Sequence, residues 1–274
     1  VDETIRSFGF GQRTGIPLKP ETRGQVRPLS KWKKITISRV SIGQGIEVTP
    51  FQLARGYSML ANGGYPVKLR LVDRLENPVT GIVNKLPQEK THSLFKSPQT
   101  HQELLKMLIS VTEPGGTARF AAVPGYHTAG KTGTAQKFVG KAYSKKEYIA
   151  NFAGFVPAHN PRFVLVVCAD TPQGGYYGGK VAGPTFRDIA ERTLKYMNVK
   201  PDYDAEAREK ELKAAAKERW LRKQQEQKQQ KARNTAPERT VAPVQRPVPA
   251  KQTRPDRQRK DRYITFTQKT DRKR

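Results

Sequence analysis

The feature that most constrains the fold is a four-residue connection, AHNP, at residues 158–161. It joins two apolar segments, residues 148–157 and 162–170, whose composition is typical of buried strands. A crossover between parallel neighbours needs about a dozen residues or more, so strands joined this closely must be antiparallel. With a further strand predicted at residues 126–136, the chain is expected to form a sheet that is at least partly antiparallel.

Three segments predict helices around this sheet. The first begins at Pro50, after Thr49, and carries apolar residues at helical spacing until Gly63 ends it. The second begins at Pro98 and has one apolar face, and the third begins at Pro184. Helices before and after an antiparallel sheet place the chain in the α+β class, as a layered domain in which the sheet packs against helices.

Composition divides the chain near Lys200. Beyond that point apolar residues become scarce, and residues 200–274 contain 23 Lys and Arg against 11 Asp and Glu. We expect residues 1–199 to form the folded domain, residues 200–232 a charged, solvated helix, and residues 233–274 a disordered, basic, proline-containing tail. Because the whole chain carries a net charge of +27, acidic partners are expected.

The basic tail allows three interpretations. It is a solvated tether, a segment that contacts an anionic envelope polymer or lipid, or a nucleic-acid-binding segment. Trp220, Tyr263 and Phe266 are interspersed along it, and these are too few aromatic rings for a surface on which bases stack. Nucleic acid is therefore the least favoured of the three.

Cysteine and histidine give no sign of a metal site or a disulfide framework. The single cysteine, Cys168, lies in the apolar run FVLVVCAD and is expected to be a buried thiol. His127, next to the strand predicted at 126–136, is expected to have a surface or packing role. No metal or other cofactor is predicted, because the four histidines lack the spacing of ligands: His92, His101, His127 and His159.

The sequence GYHTAGKTGTAQ, residues 125–136, fits two incompatible motifs. Read from its first glycine, it matches the G-x-x-x-x-G-K-T pattern of loops that hold nucleotide phosphates, with Asp170 ending a magnesium-holding strand. That interpretation needs a helix that begins at Lys131, so that backbone N–H groups face the phosphates. A helix here would contain two further glycines and no apolar stripe, which disfavours nucleotide binding.

Read as a strand, the same residues place the Thr132 and Thr134 side chains on one face, with Gly133 between them. The missing side chain at Gly133 lets another backbone approach. Two hydroxyls, bare amides and the positive charge of Lys131 make a surface suited to an extended peptide that ends in a carboxylate. Strict alternation directs the Lys131 side chain away from the two threonines.

Five segments resemble the C-terminal part of the transpeptidase domain of class B penicillin-binding proteins, and most of all the cell-division D,D-transpeptidases. They occur in that family's order and cover nearly all of residues 1–199. The segments are FGFGQRTGI at 8–16, SIGQGIEVTPFQLARGYSMLANGG at 41–64, GYHTAGKTGTAQK at 125–137, YIANFAGFVPAHNPRFVLVV at 148–167 and YYGGKVAGPTFRDIAERTLKYMN at 176–198. The resemblance implies the penicillin-binding, serine β-lactamase-like transpeptidase fold, here incomplete.

The resemblance also implies a role for each residue of K-T-G-T. Lys131 would help to hold and polarise a serine, and the Thr134 backbone N–H would supply half an oxyanion hole, so these two are the catalytic candidates. Thr132, Gly133 and Thr134 would bind the substrate, with the hydroxyls on its terminal carboxylate. The implied reaction is serine attack on a D-Ala-D-Ala amide of a peptidoglycan stem peptide, then acyl transfer to an amine of a neighbouring strand. β-Lactams would be ligands of the same site.

The chain departs from this family in its nucleophile. The family requires an S-x-x-K serine that begins a buried helix and an S-x-N element, both upstream of K-T-G. No S-x-N occurs here, and the S-x-x-K strings at Ser30 and Ser93 lie near prolines in segments that do not predict such a helix. The nucleophile is expected to precede Val1, so the chain alone is expected not to acylate and to expose apolar surface.

Location and further partners follow from the resemblance alone. The parent protein is expected to be anchored in the cell inner membrane by a helix that precedes Val1, with its catalytic domain periplasmic or extracytoplasmic. Membrane proteins of the division apparatus are the expected partners.

Overall fold

Turn and capping residues divide the chain into helices and strands. The structure, a computed structural model, describes residues 1–85, 91–140 and 142–235. The helices are α1 (Asp2–Ser7), α2 (Lys34–Ser41), α3 (Pro50–Ala61), α4 (Pro98–Ser110), α5 (Gly178–Tyr196) and α6 (Ala205–Thr235). The strands are β1 (Gln25–Val26), β2 (Ile46–Glu47), β3 (Arg74–Glu76), β4 (Val83–Lys85), β5 (Ala129–Val139), β6 (Ala142–Val156) and β7 (Phe163–Asp170). The tail predicted at 233–274 lies outside the described residues from 236 onward.

The first two predicted helices begin where the sequence signals place them. Thr49 caps α3: its Oγ1 accepts a hydrogen bond from the Gln52 N–H at 3.1 Å, and Gln52 Oε1 accepts one from the Thr49 N–H at 2.8 Å. Ser97 caps α4 in the same way, through the N–H of Thr100. Both predictions are confirmed, because a capped N-terminus followed by proline leaves few alternatives for the backbone.

The third helix prediction is wrong about where the helix begins. α5 starts at Gly178, and Pro184 lies inside it. The glycines that precede Pro184 would ordinarily disfavour a helix. Here they permit backbone contacts with the sheet that no other residue could make, and this tertiary packing extends the helix toward its N-terminus.

Three long strands form the central sheet in the order β5-β6-β7, and both pairs are antiparallel. The pairing predicted from the connection at 158–161 is confirmed. Phe152, in the middle strand, pairs with Thr132 on one side and Val167 on the other. β5 starts at Ala129, later than the predicted 126, and runs beyond 136 to Val139.

Helices cover both faces of the sheet, as the α+β prediction requires. Side chains alternate along β6, so Phe152 and Phe155 point to opposite faces. Phe152 packs against Phe186 of α5, with ring centroids 4.7 Å apart, and both rings are buried. Phe155 belongs to a separate buried cluster on the opposite face of the sheet. Helices α3 and α4 cover this cluster. The predicted layered fold of an antiparallel sheet against helices is confirmed.

The chain beyond Lys200 is attached to the domain by its first residues. The Asp202 carboxylate accepts a hydrogen bond from the His127 N–H at 3.0 Å, and the Tyr203 ring lies edge-on to the His127 ring at 4.8 Å. Arg208, in the first turns of α6, binds Glu113 at 2.6 Å. Although α6 has 31 residues, no helix in the described part of the chain is long and apolar enough to cross a membrane.

The expectation of a buried cysteine is wrong, because Cys168 is exposed. It pairs with Asn151 and lies on the face of β7 that also carries Val164. Val164 packs in the core formed with α3 and α4, whereas Cys168 lies farther along the strand. An apolar run therefore marks a strand correctly without showing which part of it the helices reach.

We expect Cys168 to react with a thiol reagent in the native protein, without denaturant. Partial burial raises the pKa of its thiol. Since only the thiolate reacts, labelling at neutral pH should be slower than that of free cysteine and should rise about tenfold per pH unit below the pKa. Stopped-flow labelling across a pH series measures this. A thiol that reacts only in denaturant would contradict the exposed position.

Candidate active site

The segment Lys131–Thr134 lies in the middle of β5 as extended backbone, paired with β6. Lys131 does not begin a helix, so no helix N-terminus is formed at the G-K-T sequence. Asp170, the supposed magnesium partner, instead accepts a hydrogen bond from Lys137 at 2.8 Å, and this contact lowers the pKa of its carboxyl group. The nucleotide-loop interpretation is therefore wrong, and the strand interpretation holds.

Thr132 and Thr134 both face α5. The Thr134 Oγ1 accepts a hydrogen bond from the Gly178 N–H at 3.1 Å, and the Thr132 Oγ1 lies 3.4 Å from the Thr117 Oγ1. Gly178 is the first residue of α5, whose unpaired N–H groups carry partial positive charge. The two hydroxyls therefore lie where an anion is stabilised.

Lys131 reaches Thr132, contrary to the direction expected from strict alternation. Its Nζ donates hydrogen bonds to the Thr132 backbone oxygen at 3.1 Å and to the Thr132 Oγ1 at 3.2 Å. The long, flexible stem of lysine allows this, because it can bend round the edge of a strand. The ammonium and the two hydroxyls consequently occupy one exposed surface.

The outer edge of β5 is open within the described residues, since β5 is the first strand of its sheet and pairs only with β6. In an antiparallel edge strand, alternate residues direct their N–H and C=O groups outward. The bond from Lys131 Nζ to the Thr132 oxygen indicates that Thr132 is one of these residues. Thr134, two positions on, then also presents its backbone groups to the open edge.

Gly133 is required by the neighbouring strand. It pairs with Asn151, and a Cβ on Gly133 would overlap the Asn151 Oδ1 and lie 2.6 Å from its Nδ2. The amide of Asn151 therefore fills the space that the sequence interpretation reserved for another backbone. This contact lies on the face opposite the two hydroxyls.

Two glycines at the start of α5 allow the helix to lie close against this strand. A Cβ on Gly178 would overlap the backbone oxygens of Gly133 and Asn151, and one on Gly179 would overlap the oxygen of Thr117. The adjacent glycines in the sequence YYGG, with which the helix begins, are the sequence signal for this close packing. Thr117 gave no comparable signal, because it approaches Thr132 only in the folded chain.

Three tyrosines border the same end of the sheet. The rings of Tyr148 and Tyr176 stack with centroids 4.4 Å apart, and Tyr176 lies 4.5 Å from Tyr177. Tyr176 and Tyr177 are exposed and immediately precede α5. They form an apolar border to the polar surface at Thr134.

Neither S-x-x-K string has the geometry of a nucleophile. Ser30 is exposed on a short 3₁₀ helix, Leu29–Lys31. Ser93 lies in a loop, where its hydroxyl donates to the Gly63 oxygen at 2.8 Å and accepts from the Phe95 N–H. Neither serine begins a buried helix.

Three of the four histidines have structural contacts. His127 binds Asp202 and contacts the ring of His159, and His101 lies 2.9 Å from the Leu60 oxygen. In residues 1–85, 91–140 and 142–235, no group of three or more His, Cys, Asp or Glu is arranged to hold a metal ion.

We expect Gly178→Ala to lower the free energy of unfolding by about 1–3 kcal/mol, because the added methyl group must displace α5 from the strands. Urea unfolding followed by circular dichroism measures the change. Gly175→Ala is the matched control, since its nearest neighbour would lie 3.9 Å from the new Cβ. Equal stability of the two variants would show that the close helix–strand contact is unimportant.

Comparison with known proteins agrees with this geometry. A family model described as the penicillin-binding protein transpeptidase domain matches residues 1–191. The probable peptidoglycan D,D-transpeptidase PenA of Neisseria gonorrhoeae is 37% identical over 195 residues, which cover 71% of this chain and 32% of PenA. The peptidoglycan D,D-transpeptidase FtsI of Escherichia coli is 36% identical over 201 residues, covering 73% of this chain and 32% of FtsI.

Solved structures of penicillin-binding proteins are also similar to this chain. The transpeptidase domain of Burkholderia pseudomallei penicillin-binding protein 3 matches with a TM-score of 0.63 and 37% identity, over 73% of this chain and 58% of that one. Penicillin-binding protein 3 of Mycobacterium tuberculosis, complexed with ampicillin, matches with a TM-score of 0.67 and 33% identity, over 74% and 47%. The chain spans about a third of the length of the curated relatives. The resemblance found in the sequence is confirmed, since this chain forms part of a transpeptidase domain. It belongs to the penicillin-binding protein transpeptidase domain family.

Proposed function

We propose that this chain supplies the substrate-binding strand of a peptidoglycan D,D-transpeptidase. The observation that carries the proposal is the convergence of the Lys131 ammonium, two threonine hydroxyls and the N-terminus of α5 at the open edge of β5. An extended peptide that ends in a carboxylate fits these groups. Its backbone would pair with the strand edge, and its carboxylate would lie against the positive groups.

Binding of a stem peptide assigns separate roles to the four residues. The hydroxyls of Thr132 and Thr134 would donate hydrogen bonds to the carboxylate of the terminal D-alanine. Gly133, which lies between them, would add no side chain to the strand. β-Lactams would occupy the same positions, as expected for relatives of a protein whose solved structure contains ampicillin.

The proposed reaction is acyl transfer through a serine that this chain does not contain. The serine oxygen would attack the carbonyl carbon of the penultimate D-alanine, forming an ester and releasing the terminal D-alanine with a proton on its nitrogen. An amine of a neighbouring stem peptide would then attack the ester and restore the serine. Lys131 would help to hold and polarise the serine, and the Thr134 N–H would supply half of the oxyanion hole.

Location and partners are part of the same proposal and rest on the family alone. The whole protein would be held in the inner membrane with this domain outside the cytoplasm, where its substrate is. Division-apparatus membrane proteins would be its partners.

We expect a chimera to form a covalent adduct with fluorescent penicillin when the upstream part of the Burkholderia transpeptidase domain is joined to this chain. Lys131→Ala should slow its acylation about 100-fold or more, because a positioned proton-handling group is lost. Thr134→Val should slow it about 10- to 100-fold, because a hydrogen bond to a charged group is lost. Gel fluorescence over time measures both rates.

Lys137→Ala is the matched control in the chimera, because Lys137 lies on the same strand but binds Asp170. It should acylate at the parental rate. Parental acylation by the Lys131→Ala chimera would refute the assigned role.

The chain by itself should give no labelled band with fluorescent penicillin, since neither Ser30 nor Ser93 has the required setting. A covalent adduct formed by the chain alone would overturn the view that the nucleophile comes from another region. Mass spectrometry of the labelled peptide would then identify the serine that reacted.

A further inference from the structure

One side of α6 carries a row of cations around a single aromatic ring. Lys210, Lys213, Lys217 and Trp220 fall within an arc of about 80° when residues follow each other at helical spacing. We call these four residues the lysine stripe. All four are exposed, Trp220 to 60%.

Of the four glutamates in the first 16 residues of α6, two lie away from the stripe. Glu211 and Glu218 lie on the far side of the helix, together with Arg219. The other two lie on the side of the stripe: Glu206, one turn before Lys210 and within the same arc, and Glu209, whose carboxylate is 2.7 Å from the Lys213 Nζ. That ion pair is solvent-exposed, so it exchanges readily with other anions.

The helix that carries the stripe is fixed at its base. Arg208 binds Glu113 at 2.6 Å, and its guanidinium lies over the Tyr203 ring at 5.3 Å. Burial raises the pKa of the Tyr203 hydroxyl. The stripe begins directly after this anchored turn, so the domain presents it as part of an ordered helix.

The stripe has no evident role in folding. Its residues are solvent-exposed, and α6 lacks the apolar face that would pack against another helix. It also lies outside residues 1–191, the part that matches the transpeptidase domain. A large exposed indole among lysines instead suits a boundary between an apolar and an aqueous phase.

We propose that the lysine stripe docks α6 on the surface of a bilayer that contains anionic phospholipids. The lysine ammonium groups contact headgroup phosphates, and the Trp220 ring enters the headgroup layer. The excess of basic residues in 200–274 adds longer-range attraction. Two features favour lipid over nucleic acid: the stripe contains lysine but no arginine, the preferred residue for nucleic-acid recognition, and it has one aromatic ring.

Vesicle sedimentation with the full chain tests the proposal. The vesicles are phosphatidylcholine with or without phosphatidylglycerol, at physiological ionic strength. Lys210→Gln with Lys217→Gln should weaken binding to the anionic vesicles about 30-fold, because each lysine near such a surface contributes about fivefold. Arg219→Gln with Arg222→Gln removes the same charge from the other side and should weaken binding by less than about fivefold.

Trp220 fluorescence, recorded in a Trp32→Phe background because the chain has two tryptophans, gives a second, independent measurement. Its emission should shift to the blue with anionic vesicles only, and the shift should be absent from the Trp220→Ala variant. Equal loss of binding in the two double variants would overturn the proposal, because charge alone would then explain it. Unchanged emission on bound vesicles, or retention on duplex DNA without binding to vesicles, would also overturn it. Circular dichroism checks that helix content is the same in all variants.

Discussion

The close contact between the first turn of α5 and strands β5 and β6 is the constraint on which the rest of the site depends. Two adjacent glycines remove the side chains that would hold the helix away, so the Gly178 N–H reaches the Thr134 hydroxyl at 3.1 Å. The same approach brings α5 over the sheet, where Phe186 and Phe152 close the core. The close approach of the first turn of α5 thus connects the packing of the domain to the electrostatics of its exposed strand.

The polar surface on β5 is positive for three separate reasons. A lysine ammonium lies at the strand edge, the N-terminus of a 19-residue helix points at Thr134, and the edge retains outward N–H groups. Each effect is modest in water and stronger where solvent is excluded. The proposed binding of a peptide carboxylate there would depend on elements from different parts of the chain, which explains why K-T-G alone is a weak signal in a sequence.

Short-range signals in the sequence predicted local structure well. The AHNP connection fixed antiparallel pairing, and Thr49 with Pro50 fixed the start of α3, because these effects act within a few residues. Three expectations failed where distant residues decide. Pro184 lies inside a helix extended by glycine packing, Cys168 lies beyond the reach of the covering helices, and Lys131 bends back to Thr132. Asn151 opposite Gly133 and Thr117 beside Thr132 could be found only from the folded chain.

The open edge of β5 also has a consequence for how copies of this chain behave together. In the described residues the outer edge of β5, a strand of 11 residues, has no partner strand, and such an edge is a template for any extended backbone, including the same strand of another molecule. The net charge of +27 keeps copies apart at low ionic strength. Salt screens that repulsion but leaves the hydrogen-bonding edge intact, so concentrated electrolyte should favour self-association through the same strand that we propose binds a peptide.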